Sequence, residues 1–149
     1  MSLSELQHEN FVSSKSAMTS SLTKAVLALI KHPSNPNLYL GVSRKNNSKD
    51  FGLVGGKMDS DKETVRDALT REVKEETGLT IKSMKPIFKR FNSDKGRKYL
   101  VRTYLVEVED FNIYTEESGL VKWVTMEELC EGSFGSYNKR LFSQMERML

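Results

Sequence analysis

The stretch GGKMDSDKETVRDALTREVKEETGL, residues 55–79, opens on two glycines and closes with a third just past a run that reads as a helix. The helix begins near Asp61 or Thr64 and ends at Thr77, with Gly78 at the usual glycine position beyond a helix terminus. At about 100° per residue, Val65, Ala68, Leu69, Glu75 and Glu76 all fall within roughly 60° of Glu72. Arg66, Asp67, Thr70 and Lys74 take the opposite side. An acidic cluster ordinarily marks a solvated helix face, but here the glutamates continue the apolar stripe.

That placement is unfavourable for an isolated helix. Like charges three and four residues apart repel by a few tenths of a kcal/mol, and the dipole disfavours anions in the last turns by about 0.3–1 kcal/mol. A cation among the carboxylates removes both penalties. Hard divalent ions take carboxylate oxygens, and no histidine or cysteine stands nearby to favour zinc. Mg²⁺ is therefore the expected cofactor, with Mn²⁺ the second choice.

Working outward, Thr23–Ile30 is a short apolar run before Pro33, and Asn37–Arg44 follows a turn rich in Pro and Asn. Two strands joined by a hairpin-like loop is the natural reading. Asn46–Asp50 reads as a polar loop, Phe51–Val54 as a short strand and Gly55-Gly56 as a break. Beyond the helix, Leu79–Phe91 and Arg97–Val108 flank the turn Asn92–Gly96 and predict a long hairpin. Leu120–Thr125 is a further strand, Met126–Cys130 a short helix and Tyr137–Leu149 a terminal helix. Strands on both sides of a central helix imply an α/β fold, a mixed sheet with helices packed on it.

A chain of 149 residues fits one domain, with residues 1–20 a flexible or edge-packed N-terminal segment and 21–149 the folded unit. Hydrophobic content of 38% and charged content of 29% are those of a globular protein. The longest apolar run, Ala25–Ile30, is far short of the ~20 residues that span a bilayer, so no membrane partner is expected. The N-terminus lacks a basic region followed by an apolar stretch, which leaves the cytoplasm as the expected location. The single cysteine, Cys130, forms no internal disulfide and reads as a small core residue. A net charge of +3 is too weak to argue for nucleic acid by itself.

Arg71-Glu-Val-Lys-Glu-Glu-Thr-Gly-Leu79 resembles the second half of the Nudix signature, an Arg-Glu, an aliphatic residue, any residue, Glu-Glu, any residue, Gly and an aliphatic residue. Glu63 lies eight residues before Arg71, as that signature asks, and Gly55-Gly56-Lys57 resembles its glycine-rich opening. One departure stands out: six residues separate Gly56 from Glu63 where the family has five, which reads as one extra residue in the Lys57–Lys62 loop. The resemblance implies a Nudix-type α/β/α sandwich. It also implies a metal-dependent hydrolase that breaks nucleoside diphosphates linked to another group, with ADP-ribose-like compounds, dinucleoside polyphosphates and NTPs as substrate classes.

By the same resemblance Glu72, Glu75 and Glu76 ligate the metal, Glu76 first, then Glu72, with Glu75 at the edge of the arc and acting through water. Gly56 offers its backbone carbonyl to the metal, and Gly55 and Gly56 let the chain pass close to phosphates. Arg71 holds a carboxylate in its ligating rotamer. Glu63 has two readings, helix-start support in the capping box Ser60-Asp-Lys-Glu63, or orientation of the site; Thr64-Val-Arg-Asp67 is a second candidate start. Glu117, with Glu116 beside it, resembles the loop acids used as an extra ligand or base, though an ordinary acidic turn explains it equally.

Arg44, Lys45, Lys49 and Lys57 are placed to meet phosphate, and Phe51, Phe91, Tyr104 or Trp123 to stack on a base, with Trp123 reading more as core. The segment 82–102 is strongly basic, but its aromatics form no recognisable RNA-binding motif, so nucleic acid is a less favoured partner than a small nucleotide derivative. A non-catalytic nucleotide sensor and an RNA-decapping pyrophosphohydrolase are the competing functions. A homodimer is the default assembly, with no residue here to argue it.

Overall fold

The computed structural model describes residues 22–58, 63–94, 96–113 and 120–148. The N-terminal segment expected over 1–20, residues 59–62 of the glycine-rich loop with Ser60, and the acids Glu116 and Glu117 lie outside them. In chain order the elements are β1 (Thr23–Lys31), β2 (Leu38–Arg44), β3 (Asn47–Gly52), β4 (Val54–Lys57), α1 (Val65–Thr77), β5 (Ile81–Asp94), β6 (Arg97–Val108), β7 (Val121–Thr125), α2 (Met126–Glu131) and α3 (Gly135–Arg147). Among the described residues no helix is long and apolar enough to cross a membrane.

The seven strands form one mixed sheet ordered β3-β2-β1-β6-β5, with β4 added to β1 and β7 to β2. β1 is its axis. It runs parallel to β6 from Thr23 opposite Tyr99 to Lys31 opposite Glu107, and antiparallel to β4 from Ala25 opposite Lys57 to Ala28 opposite Val54. Ala25 through Ile30 are all 0–1% exposed, which explains a continuous apolar run in place of alternation: both faces are covered. Ala25, Leu27 and Leu29 pack with Leu129 of α2 and Tyr137, Leu141 and Phe142 of α3. Val26, Ala28 and Ile30 pack with Ala68, Leu69 and Val73 of α1. The result is the α/β/α sandwich that the sequence implied.

Several boundaries differ from the sequence reading, each for a tertiary reason. β1 and β2 meet only at Lys31 opposite Tyr39; they then diverge, because β4 takes β1 while β2 pairs with β3 and β7. Gly55-Gly56, read as a break, lies inside β4, and β3 absorbs most of the polar 46–50 loop. Of the two candidate starts of α1, the helix uses Thr64, whose Oγ1 accepts from the Asp67 N–H at 3.1 Å. Gly78 ends it in the left-handed region, its N–H donating to the Lys74 carbonyl. Cys130 is half-buried against the α2–α3 core, and Trp123 is half-buried against the α1 core with Nε1 donating to the Phe111 carbonyl at 3.0 Å.

Candidate active site

α1 is seated on β4 and β1 by Ala68, Leu69 and Val73, and this brings Glu72 and Glu76 against the two glycines of β4. The Gly55 N–H donates to Glu76 Oε2 at 3.0 Å. At Gly56 the space of a side chain is taken by the Glu72 carboxylate, since a Cβ there would stand 2.6 Å from Oε1. Gly55 is constrained by backbone instead: its φ is +146°, and a Cβ would run into the Val26 carbonyl oxygen on β1. One glycine lets the strand close on β1; the other leaves room for a carboxylate.

A single guanidinium organises the acids. Arg71 grips Glu63 with two bonds, Nε to Oε1 at 2.9 Å and Nη2 to Oε2 at 3.3 Å. Its Nη1 donates to Glu72 Oε1 at 2.9 Å and lies 3.6 Å from Glu75 Oε2. The side chains of Glu63 and Glu72 are each 15% exposed, whereas that of Glu75 is 53% exposed. Of the two readings of Glu63, its carboxylate is found on Arg71, and Thr64 caps the helix. The chain Glu63–Arg71–Glu72 is the kind of outer support that orients a ligating carboxylate.

The electrostatics follow from this packing. Burial pushes the Glu72 carboxyl above the ordinary carboxylate range; the bond and charge of Arg71 pull it back, the charge of Glu75 adds to the rise, and a hydrogen bond with Glu76 opposes it. Arg71 is pushed further up from its already high value, first by its bond to Glu63 against the opposing effect of burial, then by Glu72. A guanidinium held this way stays charged at every relevant pH. Among the described residues no three His, Cys, Asp or Glu side chains close a metal cage on their own. The set at β4 is instead an all-oxygen half-shell, Glu72 and Glu76 beside a strand with no side chain in the way. It fits a hard divalent cation, a class that takes carboxylate oxygens, with phosphates and water completing the shell.

The other expected contacts are dispersed. Lys57 follows Gly56 in β4 and so points to the opposite face, where Nζ lies 5.8 Å from the centroid of the Tyr99 ring. Arg44 turns toward the α2–α3 connection: Nη1 donates to Ser133 Oγ at 3.4 Å and lies 3.8 Å from Asp50 Oδ2. Phe51, expected as a stacking ring, is only 3% exposed and packs in the α2–α3 core, because Gly41 near it on β2 leaves a hollow that its ring fills. Tyr104 is half-buried, and Phe91 is 44% exposed. Glu117 lies outside the described residues.

One cluster had no counterpart in the sequence reading. Asp50 is 7% exposed and accepts from both the backbone N–H and the hydroxyl of Ser133. Gly132 is needed beside it, since a Cβ there would strike the Asp50 carboxylate. An aspartate and a Gly-Ser pair far apart in the chain carry no local signal of this contact.

Comparison with known proteins agrees with the architecture. The chain resembles the MutT protein of Methanosarcina mazei Go1 with a TM-score of 0.68 at 21% identity, over 85% of this chain and 97% of that one. It resembles MutT from Aliivibrio salmonicida and Vibrio cholerae with a TM-score of 0.66 at 19% identity, over 83% and 99%. A MutT NUDIX hydrolase from Burkholderia pseudomallei gives 0.61 at 22% identity, over 72% and 86%. No curated protein matches. At these identities the solved structures speak for the fold; the family model for the NUDIX domain matches residues 22–145, and with it the chain belongs to the Nudix hydrolase family.

Proposed function

We propose that this chain is a divalent-metal-dependent hydrolase of the pyrophosphate bond in a nucleoside diphosphate linked to another group. The observation that carries the reading is the seating of Glu72 and Glu76 on Gly56 and Gly55 of β4, with Arg71 holding Glu72 in place. Glu76 and Glu72 present carboxylate oxygens to the metal, and the Gly56 carbonyl is a further ligand. A divalent ion bound there polarises a phosphoryl oxygen and lowers the pKa of water. Glu75, exposed at the edge of the arc, ligates through water or takes the proton of the attacking water, and Glu117 is the alternative base. Arg71 and Glu63 act on Glu72 and do not meet substrate. The absence of a Gly56 side chain lets the phosphate chain approach the strand, while Arg44 and Lys57, turned away from the glutamates, are not its cations. ADP-ribose-like compounds, dinucleoside polyphosphates and NTPs are the substrate classes, and the cytoplasm is the setting.

The test is a panel of nucleoside diphosphate derivatives, NTPs and capped RNA, scored for released phosphate species with Mg²⁺, with Mn²⁺ and with EDTA. Turnover that EDTA abolishes and either metal restores supports the reading. Turnover of none, or full activity in Glu76→Gln, overturns it; tight binding without turnover identifies a nucleotide sensor.

A further inference from the structure

The face of the sheet that carries α1 continues past it. α1 sits on β4 and β1, and β6 and β5 extend that face outward. Register and pleat place Lys24 of β1 beside Leu100 of β6 and Phe91 of β5, and Val26 beside Arg102 and Lys89. On the same face Lys98 stands opposite Ser93 and Tyr104 opposite Pro86. Lys24, Lys89, Lys98 and Arg102 thus share one surface with no acid in these rows. Among the described residues none of the four is ion-paired, the salt bridges there being those of Arg44 and Arg71.

Two rings stand among these cations. Phe91 is 44% exposed in the middle of a cross-strand pair, and Lys98 Nζ lies 5.9 Å from its ring centroid. Tyr104, Lys89 and Arg102 line one side of a cavity of about 530 Å³ that also takes in Phe88 and, from the end of α3 on the other side of the sheet, Gln144 and Met148, a volume typical of small-molecule clefts. Same-face residues along β6 recur about every 6.8 Å, close to the phosphate repeat of an extended single strand. Cations for phosphates and exposed rings for bases are the two components of single-strand recognition. Tyr104 adds a hydroxyl that a ribose 2′-hydroxyl can use and deoxyribose cannot.

We propose that the β5–β6 surface binds single-stranded RNA, its phosphates lying along Lys24, Lys89, Lys98 and Arg102, one base on Phe91 and one nucleotide in the cavity beside Tyr104. This surface lies on the same face as the glutamates of α1, Arg102 standing two strands from Gly56, and its binding does not depend on the hydrolytic reading. The experiment is fluorescence anisotropy of a short labelled oligouridylate with the full chain, in EDTA so that hydrolysis plays no part, between about 50 and 200 mM salt.

The expected log–log salt slope is about three, for four phosphate contacts at roughly 0.7 each. Lys89→Gln with Arg102→Gln weakens binding about tenfold or more and lowers the slope by about 1.4. Phe91→Ala weakens it at least about fivefold with the slope unchanged. The charge-matched pair Arg66→Gln with Lys122→Gln, on α1 and β7, leaves affinity within about twofold. Equal loss in that control, no salt dependence, or binding only to anionic phospholipid vesicles overturns the proposal, and DNA of the same sequence binding as tightly overturns the choice of RNA. Should the double variant fail to fold, the wild-type slope and Phe91→Ala decide the matter.

Discussion

The helix α1 with β4 and the hairpin β5–β6 both crowd charges of one sign, and they hold them in opposite ways. At α1 the counter-charge is internal: Arg71 reaches Glu63, Glu72 and Glu75, and a Gly55 N–H meets Glu76. On the hairpin Lys24, Lys89, Lys98 and Arg102 are spread at strand spacing, and water does the screening. The first arrangement fixes carboxylate oxygens within tight geometry, as a small, highly charged cation requires. The second suits a long, diffuse polyanion. Like charge on a surface is thus informative only together with what neutralises it.

The contrast can be broken at several points. Glu76→Gln should lower hydrolysis about 10²–10³-fold while leaving the thermal midpoint nearly unchanged, since the amide oxygen still accepts from Gly55; a rate within a few-fold of the parent would remove Glu76 from the site. Gly55→Ala should destabilise the fold by about 2–4 kcal/mol in urea titrations, because a side chain meets the Val26 carbonyl at a positive φ. Its neighbour separates stability from function: in Gly56→Ala the added Cβ meets only the side-chain end of Glu72 and no backbone, so stability should change by less than about 1 kcal/mol and hydrolysis fall about tenfold.

Arg71→Lys keeps the charge but cannot bridge Glu63 and Glu72 with a planar fork, so the Mg²⁺ concentration for half-maximal rate should rise about 10–100-fold; an unchanged metal titration would show that the pairing does not position Glu72. The smallest effect belongs to the hairpin. Phe91→Ala, at a ring 44% exposed, should alter stability by no more than about 0.5 kcal/mol and leave turnover of a small nucleotide untouched, so that RNA affinity alone responds.

Much of this was legible in the chain. The extent of α1, its stop at Gly78 and the inward side of Glu72 and Glu76 follow from a local period and a local cap. The β5–β6 hairpin was equally clear from two long strand runs around one turn. Glu63 was ambiguous because a helix-start acid and an acid reaching Arg71 share one spacing, and only folded coordinates tell them apart. Phe51 was misplaced for a related reason: a ring beside a glycine-rich loop suits either a ligand or a core, and the hollow over Gly41 decided for the core. Arg44 was drawn toward Asp50 and toward Ser133, the latter a contact across 89 residues of chain that no window can contain.

By itself the sequence determined the family, the central helix and the sign and direction of its charges, because each depends on residue type at short separation. Only the tertiary structure decided that β1 pairs with β6 and β4, that Gly55 and Gly56 are strand residues pressed between β1 and α1, that Arg71 ties Glu63 to Glu72, and that Lys24, Lys89 and Arg102 share one face. Those outcomes turn on which distant backbone supplies a strand's hydrogen bonds. That choice is made by burying both faces of Ala25–Ile30 at once, a collective condition no single segment encodes.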